Sequence, residues 1–487
     1  MSRASALLSS DAFDSAAFSS VTQILQWYRS GKLTPSAVVE MYLQRLEKLN
    51  THYNAYVADN ALQAREAAQA ATLRWQQGTA RALEGVPIAV KDLIDVAGLP
   101  TRAGSLTLPD TPVSHTATVV RLLQDAGAIV LGKVHTEEYA FGSWGVNESM
   151  GVPLNPWSGE EPLVPGGSSS GSAVAVAAGL APWAIGTDTG GSVRGPAAWQ
   201  GLVGYKPTVG RISKHGVLAL SLNLDSVGVL CRSVADVVLF TRVVQGPDVQ
   251  DTQSWNQPND DVGSMMEEGV AGLKLAVLAD SDRAAIAPDV LAVYDELLSR
   301  LQVVGAELVT LSLPFTLASL ASVEASPMLA SEAYARYAAL ADDPLSQLST
   351  PVRARMLSGK ISMADYLQRT WANDVQLQHI RQAMQGCAAL VMPTMPFVSP
   401  EVRRIDQTKP STVLTRFVNQ LGWCGVAVPA GMNSNEVLNL PVSVQCVAPA
   451  HADAMAIRVA RAVELLTPPL PLPHQVNHTS FRGGSTL

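Results

Sequence analysis

The chain has 487 residues, 47% of them hydrophobic and 16% charged, with a formal net charge of −8 at pH 7. This balance excludes a disordered or fibrous chain and gives no global attraction to nucleic acid or an anionic membrane. The length assures a sizeable core, in one large α/β domain or in several smaller ones.

Four cysteines, Cys231, Cys387, Cys424 and Cys446, show no close metal-ligand spacing and are too sparse to staple a chain this long, so they read as buried thiols in a reducing compartment. Among the histidines only His474 and His478 have HxxxH spacing, in a Pro-flanked tail without a Glu after the first. No metal and no cofactor is expected. Asp11 and Asp14 interrupt the apolar core that a signal peptide would need, which makes the cytoplasm the expected location. The apolar run Ala173–Gly186 is broken by Gly179 and Pro182 and is too short to span a bilayer.

A polar, Ser/Ala-rich lead over residues 1–20 is expected to be flexible. Val21–Arg29 has apolar residues at helical spacing and stops at Gly31; Thr34-Pro35 supplies an N-cap and a first-turn proline for Ser36–Leu49; Ala61–Gln77 is helical by propensity. Gly85–Val90 reads as a buried strand that delivers Lys91-Asp92. Helix then alternates with strand: Thr116–Ala126 with Ala128–Leu131, and Ser172–Ala178 with Trp183–Ile185. Farther on, strands Leu273–Leu278 and Glu307–Leu311 flank a helix over Pro288–Val303. Residues 245–265 suit a polar surface connection, 315–385 look mostly helical, and the tail from Thr467 is irregular. The pattern predicts a large α/β structure around a mainly parallel or mixed sheet.

The chemistry concentrates in Pro165–Pro207, where two Gly-rich turns carry Ser168 and Ser192. In Thr187-Asp188-Thr189-Gly190-Gly191-Ser192 a strand ends in two glycines and a serine, so consecutive N–H groups converge beside a hydroxyl. That arrangement suits an acyl-transfer oxyanion, and equally an anion-binding or purely structural turn. A serine nucleophile needs a base. No histidine lies near either turn in sequence, and a spatial neighbour stays open. Lys91, delivered by the apolar Ile88-Ala89-Val90, would be desolvated toward its neutral form, or would be an exposed strand-end lysine. Ser168 would relay a proton between the two, or cap the helix that follows.

Across most of its length the chain resembles the amidase signature family: GVPIAVKDLIDVAG at 85–98, GAIVLGK at 127–133, PGGSSSGSAVAVAAG at 165–179, GTDTGGSVRGPAAWQGLVGYKPTVGRIS at 186–213 and MPT at 392–394. The resemblance implies a large mixed central β-sheet covered by helices on both faces. It implies a single domain over 21–475, with a signature core at about 85–215, a variable and mostly helical region at about 245–385, and a tail over 476–487. It also implies a Ser–cisSer–Lys triad: Ser192 as nucleophile, Ser168 as the serine after a cis peptide, Lys91 as ultimate base. The N–H groups of Thr189, Gly190, Gly191 and Ser192 are the implied oxyanion donors. One departure is Ser170, where the family loop usually has glycine.

The general resemblance is to the glutaminase subunit of tRNA-dependent amidotransferases, against which a free-standing amidase is weighed. Gly145-Val146 replace a usual Thr-Glu, and Thr412 stands where that glutaminase has an acidic residue for the substrate ammonium. Arg355 aligns with a glutaminase arginine that grips a carboxylate, and reads equally as a solvated helix residue. Trp423-Cys424 replace a Leu-Pro-like pair, and Phe141, Trp144, Met150 and Trp199 add bulk near the motifs, pointing to an apolar or aromatic substrate group. Trp144, Met150, Arg194 and Trp423 are therefore the expected pocket residues, with Arg194 favoured as a brace for Asp188. The expected partner is a small-molecule amide, with a homodimer left open, and neither nucleic acid nor membrane is expected.

Overall fold

A computed structural model describes residues 15–320, 326–434, 438–474 and 476. Eleven strands among them build one sheet: β1 Tyr56–Asp59, β2 Pro87–Lys91, β3 Ile129–Val134, β4 Ala184–Asp188, β5 Val203–Lys206, β6 Ser226–Cys231, β7 Lys274–Leu278, β8 Glu307–Leu311, β9 Ala389–Pro393, β10 Cys424–Met432 and β11 Pro441–Ala448. Their order is β1-β3-β2-β4-β6-β5-β10-β11-β9-β7-β8. Two parallel blocks, β3-β2-β4 and β9-β7-β8, flank an antiparallel middle. The sheet is mixed, as expected.

Helices cover both faces, and β5 shows how. Successive residues of a strand point to opposite sides. Gly204 lets the helix Arg194–Trp199 approach so closely that a Cβ would collide with Ala197, whereas Tyr205 on the other face donates its hydroxyl to Asp453 Oδ1 at 2.7 Å, at the start of helix Asp453–Leu466. Strands covered this way read as unbroken apolar runs, which is why all five residues of β2 are buried.

Helix boundaries follow their caps. Thr34 Oγ1 accepts the Ala37 N–H at 3.2 Å to open Pro35–Tyr53, and Asn54 at φ 48° closes it, four residues beyond the apolar periodicity. Helix Pro288–Val303 and strand β8 coincide with their sequence limits. The lead needs correction: residues 1–14 lie outside the described residues, but Ala16 and Ala17 are buried and Phe18 lies beneath the guanidinium groups of Arg45 and Arg232. Among the described residues no helix is long and apolar enough to cross a membrane.

Candidate active site

Because β2 and β4 run parallel as neighbours, their C-terminal ends emerge at the same edge of the sheet. This brings Lys91 beside Thr187, and the loop before helix Ser170–Ala177 lies across both. Lys91 is fully buried and its Nζ donates to Ser168 Oγ at 2.8 Å and to Thr187 Oγ1 at 2.9 Å. The Gly167-Ser168 peptide is cis. A second buried lysine, Lys133 at the end of β3, forms an ion pair with Asp92 at 3.1 Å, whereas among the described residues Lys91 bonds only hydroxyls. Burial therefore dominates, and holds Lys91 down to about 7 against the opposing charges of Glu137, Asp225 and Asp188. Half of the lysine is then neutral near pH 7.

Ser192, 6% exposed, opens on a cavity of about 170 Å³. The Ser169 N–H donates to the Ser192 carbonyl at 3.2 Å, which ties the two serine loops together. Among the described residues no hydrogen bond joins Ser168 Oγ to Ser192 Oγ, so one link of the expected relay is open in this conformation. Such links commonly tighten when substrate is seated.

The loop carrying Ser192 is pinned by Asp188. Its carboxylate accepts the N–H of Gly191 at 2.7 Å and of Val193 at 3.2 Å, and a bidentate pair from Arg194, Nε and Nη2, each at 3.0 Å. Burial alone would raise this carboxyl, but the charge and hydrogen bonds of Arg194 outweigh it and hold the group well below the usual carboxylate range. Arg194 also donates to Gln445 Oε1 at 2.9 Å and Asn419 Oδ1 at 2.7 Å. Arg194 braces the loop, the role favoured for it, and among the expected pocket residues it is a correction because it does not line the cavity. One oxyanion expectation changes as well. The Gly191 N–H is already engaged, which leaves those of Thr189, Gly190 and Ser192 without protein partners among the described residues.

The cavity wall combines apolar and cationic groups, including Phe141, Trp144, Leu220, Leu329, Arg355 and Arg416. Trp144 lines the cavity; its ring stacks on Trp199 at 5.8 Å, and its Nε1 donates to the Lys409 carbonyl at 2.8 Å. Met150 and Trp423 are corrections. The Met150 carbonyl accepts from Asn54 Nδ2 at 3.3 Å, away from the cavity, and Trp423 lies in the main core with its carbonyl on Lys206 Nζ at 2.7 Å. Ser170, the departure in the glycine loop, has a buried hydroxyl with no partner among the described residues.

Arg355 lies on helix Thr350–Leu357, whose leading Ser349 donates its N–H to Glu138 Oε2 at 2.9 Å. The guanidinium lies 6.0 Å from the Phe141 ring centre, and its Nη1 is buried without a partner among the described residues. Behind it sits Glu137, so close to Gly142 and Gly167 that a Cβ on either would collide with its oxygens. Burial pushes the Glu137 carboxyl up to about 7, against Arg355, the N–H groups of Gly145 and Trp144, and Lys91. Sequence reading passed over Glu137 and Arg416. Arg416 left no signal in the sequence: the burial of residues 414–419 is seen only in the structure.

The family model described as Amidase matches residues 37–457, and the chain belongs to that family. It is 35% identical over 469 residues to the A-subunit of glutamyl-tRNA(Gln) amidotransferase from Anaeromyxobacter sp. (strain K), covering 91% of this chain and 94% of that one. Among solved structures it is similar to a chain from a vestigial protein complex described as revealing the evolutionary origins of an s-triazine catabolic enzyme, with TM-score 0.85, 27% identity, and coverage of 92% and 98%. The peptide amidase of Stenotrophomonas maltophilia superposes with TM-score 0.81 at 28% identity, covering 94% of this chain and 98% of that one.

Proposed function

We propose that this chain is a free-standing cytoplasmic amidase, one catalytic unit over residues 21–475, that hydrolyses the C–N bond of small linear amides through a Ser192 acyl-enzyme. The observation that carries this reading is the fully buried Lys91, held near neutrality and hydrogen-bonded at 2.8 Å to Ser168 beside the Ser192 loop. Neutral Lys91 takes the proton of Ser168, Ser168 takes that of Ser192, and Ser192 Oγ attacks the amide carbonyl. The oxyanion meets the N–H groups of Thr189, Gly190 and Ser192, each such donor contributing about 3 kcal/mol to lowering the barrier. The relay returns a proton to the leaving amine, and water then releases the acyl group. Phe141, Trp144 and Leu220 offer the substrate an apolar wall.

A second reading, a glutaminase subunit of a tRNA-dependent amidotransferase, is favoured by Arg355 and by the named relatives. It is opposed by Thr412, which gives a substrate ammonium no carboxylate. A fluorophosphonate probe followed by peptide mass spectrometry tests the first reading: an adduct on Ser192 and turnover of simple amides by the isolated chain are expected. Hydrolysis of glutamine alone, and only with added partner subunits and tRNA, would replace it with the second.

A further inference from the structure

One wall of the cavity beside Ser192 is built apart from the sheet. Helices Ser326–Asp342 and Thr350–Leu357 pack on each other, so closely that a Cβ on Gly359 would collide with the Ala330 carbonyl. With Tyr139, Phe141 and Leu220 they form a hydrophobic cluster separate from the main core. Leu329, Ala330 and Arg355 of this layer line the cavity together with Thr189, Gly190 and Ser192. Three side-chain hydrogen bonds of the first helix fall on residues 219–223. The Tyr337 hydroxyl donates to the Ala219 carbonyl at 2.5 Å, and the Glu332 carboxylate accepts from Ser221 Oγ at 2.5 Å and from Asn223 Nδ2 at 3.1 Å.

The same loop is held from its other side by Asp225, which is 5% exposed. One carboxylate oxygen, Oδ2, accepts the N–H groups of Leu220 at 2.9 Å and Ser221 at 3.1 Å; the other, Oδ1, accepts the Thr189 hydroxyl at 2.6 Å. Strand pairing sets this contact, because Asp188 of β4 lies opposite Ser226 of β6, and Thr189 and Asp225 are the next residues outward. Ser221 meets both acids, through its N–H on Asp225 and its hydroxyl on Glu332. A continuous chain of hydrogen bonds thus runs from the helical layer to the turn whose N–H groups face the oxyanion, and neither acid lines the cavity. A buried carboxylate is costly unless its donors are in place, so losing one end of such a chain disturbs the other. Resting on the reading of Ser192 as nucleophile, we propose that Asp225 and Glu332 are positioning residues of the oxyanion turn. Glu332 seats the helical layer on Ser221, the loop presents its N–H groups to Asp225, and Asp225 holds Thr189 at the angle its own N–H needs. Closure of the cavity wall and completion of the oxyanion donors are then one event.

Saturation kinetics of fluorophosphonate labelling of Ser192 in the whole chain test this, since the limiting rate reports the oxyanion turn and the half-saturating concentration reports binding in the cavity. Glu332→Ala is expected to lower the limiting rate roughly 10- to 100-fold, the scale of a misplaced oxyanion donor, with the half-saturating concentration nearly unchanged. Glu332→Gln keeps an acceptor for the Ser221 hydroxyl and should keep most of the rate. Ser221→Ala cuts the same contact from the loop side and should reproduce Glu332→Ala, which keeps the test open if that variant folds poorly. Thr189→Val removes the hydroxyl and leaves the N–H; combined with Glu332→Ala it should label no more slowly than Thr189→Val alone, because both changes break one chain. Multiplying effects in the double variant would overturn the proposal. So would a Glu332→Ala variant that raises only the half-saturating concentration, since Glu332 would then serve the binding wall alone. A wild-type chain that takes no label would overturn the Ser192 reading, and this proposal with it.

Discussion

Replacing Lys91 by Met separates two consequences of one buried amine. The side chain keeps its volume and loses its charge. In the unfolded chain the lysine holds its proton up to 10.5, whereas in the native protein it releases it near 7. At about 1.36 kcal/mol per pH unit that displacement corresponds to about 5 kcal/mol of penalty on the charged native form. Between pH 7 and 10.5 the unfolded state binds the extra proton, so wild-type stability gained from this group rises with pH across that window. The full penalty stands below pH 7 and none remains above 10.5. Met does not titrate. The stability of Lys91→Met relative to wild type should therefore be greatest in acid and fall by about 5 kcal/mol on going to high pH. Loss of the hydrogen bonds to Ser168 and Thr187 costs about 1 kcal/mol each and offsets the difference equally at every pH. Urea-unfolding midpoints of both proteins at pH 6, 8 and 10 measure the slope, and amide hydrolysis should drop by roughly 10²-fold or more. A stability difference that is flat with pH, or a variant retaining a tenth of the activity, would refute the account of Lys91 as a desolvated base.

Glu137→Gln removes a charge that favours the protonated lysine, so the rise of kcat/KM with pH, centred near 7 in the wild type, should move to lower pH; Asp225 and Asp188 still face Lys91, so the limb shifts and does not disappear. A limb that moves the other way would show that Glu137 acts on folding and not on the base. The two loop glycines should respond differently to alanine. Gly191 has φ +129° and a Cβ there collides with Thr415 Oγ1, so Gly191→Ala should abolish labelling of Ser192. Gly190→Ala meets only Arg416 Nε at 3.2 Å and should keep most of it. Equal effects would mean that the loop is not held as described.

The elements legible in the sequence were those whose local signal and tertiary setting agree. Thr34-Pro35 and Pro288 mark helix starts that the fold uses unchanged. Apolar strands such as β2 needed no more than their own composition. The central pair β10 and β11 went unread because Pro429 and Gly431 interrupt β10, and the strand absorbs them as a bulge against β11. At the site, Lys91, Ser168 and Ser192 came from motif and resemblance together. What the residues alone left undecided was whether Lys91 is buried, and that depends on β3, β4 and the loop over them. The pocket was the least legible part. Bulk suggested Met150 and Trp423, but bulk is also what a core requires. Arg416 and Glu137 depend on contacts hundreds of residues apart, and the engagement of Gly191 by Asp188 is a matter of backbone direction that composition does not carry.

The position of β10 and β11 in the sheet also sets an order in time. The strands made first form one contiguous block, β1-β3-β2-β4-β6-β5, and β9-β7-β8 form another; β10 and β11, made after these nine among the described residues, lie between them. The acceptors that steady Arg194, Asn419 and Gln445, arrive with that final segment. At roughly 5–20 residues per second, a ribosome that has just added Ser192 needs on the order of ten to fifty seconds more to reach Gln445. For that interval the nascent chain carries Ser192 on a loop without these braces. Arg194 is thus steadied only after residue 445 has been added, and a chain released before that point carries Ser192 on a loop without these two acceptors.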